Sequence, residues 1–124
     1  MQDETKLLRQ VHPSWIDRGR MTSQVFRPTP KDQRRLSVYD GDQIGPAQAW
    51  RHYTQSLQCR SAGVVAVTVA ECRLQKLQVT PDPVPFPEHV AIDFASLSNS
   101  EVEKKSKALR SLAETRGWLH GPLA

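Results

Sequence analysis

Apolar positions along this chain fall into short bursts separated by turn-forming residues, and the spacing within each burst predicts its element. Residues 6–12 carry Leu7, Leu8 and Val11 among polar neighbours and run into Pro13, the pattern of a short strand. Residues 13–19, with Trp15 and Ile16, are turn-like. In 21–26, Met21, Ser23 and Val25 alternate with Thr22, Gln24 and Phe26, which predicts a second strand. Two prolines in three residues make 27–32 a loop, since proline cannot donate to a ladder. Leu36 to Tyr39 then reads as a strand closed by the turn Asp40-Gly41-Asp42.

Farther along, Gly45-Pro46 opens a helix in the favoured way, with proline at an early position where its missing N–H costs nothing. Ile44, Ala47, Ala49 or Trp50, Tyr53 and Leu57 recur at helical spacing, opposite Gln48, Arg51, His52 and Gln55. Gly63-Val64-Val65-Ala66-Val67 has no polar alternation, so it predicts a strand covered on both faces and therefore central. Thr68-x-x-Glu71 has capping-box spacing for a short helix reaching about Leu77. Prolines at 81, 83, 85 and 87 make an extended connector, residues 88–94 resume a strand through Val90, Ile92 and Phe94, and Ser100-x-x-Glu103 announces a last helix that stops at Gly117. The sum is an α+β single compact domain: a mixed sheet of four or five strands, two main helices and one short one, with residues 1–5 as a flexible lead-in.

Composition changes this picture little. The 124 residues leave room for one domain, and no apolar run approaches the roughly 18 residues of a membrane span. Cys59 and Cys72 form no paired framework, which favours a reducing cytosol, and the polar N-terminus carries no secretory h-region. The net charge of +4 is spread over several elements and interrupted by acids, so Arg27, Lys31, Arg34 and Arg35 read first as solvated faces, with weak, salt-dependent nucleic-acid binding as the lesser reading of the same residues.

Candidate chemistry is sparse. Arg9, His12, Ser23, Tyr39 and Glu71 are the candidate catalytic residues, and Arg27, Arg34, Arg35 and Asp40 the candidate binding residues. Each has a structural alternative: His12 as a loop histidine bonded to backbone, Asp40 as a turn cap, Glu71 as the acid of its capping box. Ser37, Thr22 and Ser23 are ordinary strand or turn residues until a base is shown beside them. Asp40-Gly41-Asp42 lacks the further oxygens of a calcium loop, and His12, His52, His89 and His120 show no zinc spacing, so no metal is expected.

The segments 7–13 (LLRQVHP), 22–28 (TSQVFRP) and 36–41 (LSVYDG), followed by 67–72 and 81–89, resemble a family of small uncharacterised bacterial proteins over nearly the whole chain. That resemblance implies a bacterial source and a stand-alone domain. Arg9, Ser23 and Glu71, in that order, are also similar to a pattern in ADP-ribosyltransferases, although position 69 is valine where that branch carries a second acid or glutamine. This likeness implies NAD as cofactor, with Arg9 on its phosphate or ribose, Ser23 bracing the pocket and Glu71 stabilising positive charge on the ribose.

Two readings follow. The first is a cytosolic protein-binding module without a cofactor, in a toxin–antitoxin, immunity or phage-defence setting. It is motivated by the missing catalytic motif and by the rigid proline connector. The second is the NAD-using transferase. They separate on whether Arg9, His12, Ser23 and Tyr39 converge on one concave pocket.

Overall fold

A computed structural model describes residues 1–123, the side chain of Asp32 excepted. Five strands form one antiparallel sheet: β1 (Lys6–Val11), β4 (Arg35–Asp40), β5 (Gly63–Thr68), β6 (Gln78–Pro81) and β7 (His89–Asp93), in the order β5-β1-β4-β7-β6. Two-residue strands β2 (Ile16–Asp17) and β3 (Arg20–Met21) pair separately. The helices are α1 (Pro46–Arg51), α2 (Val69–Leu74) and α3 (Asn99–Arg116). The class is α+β, and within it every pairing is antiparallel where a mixed sheet was expected.

The period-2 alternation of the strands sorts the core into two layers. Leu7, Val11, Val65 and Val67 face one side, where Val102, Leu109 and Ala113 of α3 pack on them together with Phe26. Leu8, Tyr39, Val64 and Ala66 face the other side, under Ala49 of α1. A π-helical turn, His52–Ser56, prolongs α1 and carries Tyr53 onto that second layer.

Three expectations are corrected. Residues 21–26 are not one strand, because Val25 and Phe26 are both fully buried, which neighbours on a one-sided strand cannot be; Ser23–Phe26 is a 3-10 turn under α3. β5 is an edge strand, not a central one. Both of its faces are covered, and its outer edge is sealed by the C-terminal segment, with Val64 N–H donating to His120 O at 2.8 Å and Leu119 N–H to Val64 O at 2.9 Å. The last helix starts one motif earlier, with Ser98 capping the Glu101 amide at 3.3 Å.

Two further boundaries move: α2 ends at Leu74, short of Leu77, and Gln78–Pro81 pairs with β7 as an edge strand ahead of the proline connector. Thr68 and Glu71 form the reciprocal capping box of α2, and Gly117, at φ 91°, ends α3. Residues 1–5, expected as a flexible lead-in, are instead tied down: Thr5 is buried and donates to Asp42 Oδ2 at 2.6 Å, and the Asp3 carboxylate pairs with Arg73.

The two cysteines sit in opposite environments, Cys59 exposed and Cys72 fully buried. Burial, reinforced by the Glu71 carboxylate, pushes the Cys72 thiol up to about 12. A chromogenic thiol reagent at pH 8 is therefore expected to react quickly with one equivalent and to reach the second only in denaturant. Two fast equivalents in the native protein would contradict this packing.

Candidate functional site

The sheet is split on one side of its centre. β1 pairs with β5 along its whole length, but its ladder to β4 stops after Leu7↔Asp40 and Leu8↔Tyr39. The next rung would tie Gln10 to Ser37. Instead the Gln10 side chain turns to α1 and the chain before β5, donating to Ala49 O at 3.1 Å and accepting from Ser61 Oγ at 2.7 Å. Arg9 fills the gap. Its Nη1 donates to the Ser37 carbonyl at 2.9 Å, its Nε to Val25 O at 2.7 Å, and its guanidinium lies 5.2 Å from the Trp15 ring centre. A strand carbonyl that lost its partner is thus satisfied by a cation.

The opening is a cavity of about 550 Å³, within the range of small-ligand sites. Arg9, Arg27 and Arg35 line it with Trp15, Tyr39, Tyr53 and Phe86, and Leu57 and Val84 form an exposed apolar rim. Alternation along β4 puts Arg35, Ser37 and Tyr39 on one face. The Arg35 guanidinium is 3.8 Å from the Asp82 carboxylate and that of Arg27 is 3.6 Å from Glu103, loose and partly exposed pairs that a ligand anion can compete with.

The aromatic wall is held by the loop between β6 and β7. Phe86 stacks on Tyr39 at 4.9 Å and meets His52 and His89 edge-on at 4.7 and 5.2 Å. The Tyr39 hydroxyl bonds His52 Nδ1 at 2.8 Å. Burial, then the nearby Tyr53, Cys59 and Glu88, raises the Tyr39 phenol well above its usual range. Tyr53 is raised mainly by burial and Cys59, with Arg9 opposing. Both phenols therefore stay neutral and act as hydrogen-bonding groups.

On the same wall Ser37 Oγ lies 2.9 Å from His89 Nε2, and His89 Nδ1 lies 2.9 Å from Asp82 O and 3.6 Å from the Asp82 carboxylate. The carbonyl can only accept, so Nδ1 carries a hydrogen. In the neutral ring Nε2 then accepts, and the Ser37 hydroxyl donates to it.

Of the residues singled out from sequence, Arg9, Arg27, Arg35 and Tyr39 meet at this cavity. The others do not. His12 caps the 3-10 turn Pro13–Trp15, its Nδ1 accepting from Ser14 N–H at 3.0 Å. Ser23 belongs to a separate shallow depression beside Arg20 and Lys107. Arg34 turns to the start of α3, donating to Leu97 O at 2.6 Å and to Asn99. Asp40 is buried and caps its turn, accepting from Asp42 N–H at 2.9 Å and Gln43 Nε2 at 2.8 Å. Glu71 sits at the start of α2, held by Thr68 and by two bonds from Arg116. Arg9, Ser23 and Glu71 thus occupy three different regions.

Sequence reasoning left Ser37 as an ordinary strand residue awaiting a base, weighed His89 only as a metal ligand and did not single out Asp82, although the alternation Arg35/Ser37/Tyr39 and the two ends of the proline loop were there to connect. Among the described residues no group of three His, Cys, Asp or Glu side chains is placed to hold a metal, and no helix is long and apolar enough to cross a membrane. Fold and site together define an α+β domain with an arginine- and aromatic-lined cleft opened between two strands of its sheet. Compared with known proteins, the chain matches no family model, no curated protein and no solved structure.

Proposed function

We propose that this chain is a binding module whose β1–β4 cleft takes a short acidic, aromatic segment of a protein partner. The observation that carries the reading is the meeting of three guanidinium groups with a wall of neutral aromatic rings in one cavity of about 550 Å³. An anion would sit against Arg35 and Arg27, and a ring between Phe86 and Tyr53, with Leu57 and Val84 covering it. The volume suits two or three side chains, which favours a peptide tip over a broad flat interface. The free thiols fit a reducing cytosol as its place of work.

Isothermal titration with an acetylated Glu-Phe-Glu tripeptide tests the reading. Binding is expected, weaker as salt rises because the anionic contacts are partly exposed. Arg35→Ala should weaken it by about tenfold, the size of one solvent-screened charge-assisted bond. Absence of heat with the peptide at millimolar concentration would sink the proposal, and heat from NAD instead would support the transferase reading.

A further inference from the structure

The Ser37, His89 and Asp82 cluster has more order than a peptide-binding wall needs. Ser37 is exposed to the cleft, whereas His89 beneath it is buried to 9% exposure. The imidazole is fixed from behind by Nδ1–H donating to Asp82 O at 2.9 Å, and the two backbones are tied by Asp82 N–H donating to His89 O at 2.9 Å. The Asp82 carboxylate lies 3.6 Å from the same Nδ1. On the opposite side Nε2 accepts from the Ser37 hydroxyl at 2.9 Å. A nucleophile, a base touching it and a group orienting the base are therefore in sequence, with the hydroxyl open to the cavity. The Arg9 guanidinium donates to the Ser37 carbonyl at 2.9 Å and so holds the backbone that carries the hydroxyl.

We propose that the cleft transfers the acyl group of a small anionic carboxylic ester or thioester to water, with Ser37 as nucleophile, His89 as general base and acid, and Asp82 as positioning residue. The inference rests on the reading that the cleft admits an anionic ligand. Ser37 Oγ bonds to the acyl carbon as its proton passes to His89 Nε2, and the negative charge moves onto the former carbonyl oxygen. Collapse breaks the bond to the alcohol or thiol, which leaves with the proton from Nε2. Water then attacks the acyl-serine, gives its proton to Nε2, and releases the acid as Ser37 Oγ recovers that proton. No oxidant or further co-reactant enters.

The test is reaction of the folded protein with a fluorophosphonate, read by intact mass and peptide mapping. One adduct on Ser37 is expected, with the rate dropping at least 100-fold in both Ser37→Ala and His89→Gln, and about tenfold in Asp82→Asn. The wild-type rate should rise with pH through one ionisation that His89→Gln abolishes, which a purely structural serine would not show. Circular dichroism establishes that each variant is folded. Ser37→Ala, at an exposed position, keeps the test valid if His89→Gln does not fold. Adduct formation elsewhere, no adduct, or equal rates in folded His89→Gln overturns the inference. Tripeptide binding without a Ser37 adduct refutes the acyl-transfer step and leaves the binding module standing. A Ser37 adduct without tripeptide binding refutes the peptide reading alone.

Discussion

Arg9→Ala is expected to destabilise the protein by about 3 kcal/mol and to abolish ligand binding in the fraction that stays folded. Two losses act together. The carbonyls of Val25, in its 3-10 turn, and Ser37, on β4 where no strand is available to replace the donor, each lose a charged partner at 2.7 and 2.9 Å. The stacking of the guanidinium on Trp15 adds roughly 0.5–1 kcal/mol. Arg9→Lys should recover only part of the stability, because one ammonium cannot span both carbonyls as a planar fork does. Urea denaturation followed by tripeptide titration separates the two effects. A change below about 0.5 kcal/mol would mean that the gap between β1 and β4 is held open by something else. A structural role for Arg9 does not separate it from binding, since the same side chain props the cleft and lines it.

Much of the fold could be read locally, and most of the site could not. The Thr68/Glu71 capping box, the proline start of α1 and the Gly117 stop are decided by three or four neighbouring residues, and they stand where the spacing put them. The apolar run 63–67 reported coverage of both faces correctly. Its place in the sheet was misread, because a C-terminal strap through His120 hides the edge that would otherwise need polar residues. For the last helix, Ser98-x-x-Glu101 and Ser100-x-x-Glu103 satisfy the same rule, and the turn from Phe94 to Leu97 delivers the chain to the first of them. The cleft depends on a missing rung, which no periodicity encodes: residues 9 and 10 look like ordinary strand positions. Ser37 and His89 lie 52 residues apart and meet only through the β4–β7 register, where Tyr39 opposes His89 and Ser37 opposes Ala91. Arg9, Arg27, Arg35 and Tyr39 were each visible beforehand as candidates. The base beside Ser37 was not.

Glu71→Ala is expected to cost about 3 kcal/mol at pH 7 while leaving the cleft intact. The carboxylate takes two parallel bonds from Arg116, at 2.9 and 3.0 Å, and a third from Thr68 N–H at 2.8 Å, bolting the end of α3 to the start of α2. Both side chains are mostly covered, so removing one leaves the other with a charge or a donor short of partners. Burial by itself would raise the Glu71 carboxyl; the Arg116 bonds and the Thr68 amide outweigh it and hold the group below its usual value. A folded-state value below the unfolded one means that stability is fully present above the unfolded value of about 4.3 and is lost as pH falls through the folded value. Glu71→Gln, which keeps an acceptor for Thr68 N–H, should therefore be less stable than wild type at pH 7, with the gap closing below about pH 4. A gap that stays constant down to pH 3 would contradict the ion-pair account. A double-mutant cycle with Arg116→Ala should show coupling of roughly 1–3 kcal/mol. Tripeptide affinity and Ser37 labelling, measured on the folded variant, should match wild type. Loss of either at unchanged fold would return Glu71 to the site, as the similarity to ADP-ribosyltransferases implies, and would leave its bonds to Thr68 and Arg116 unable to account for its presence.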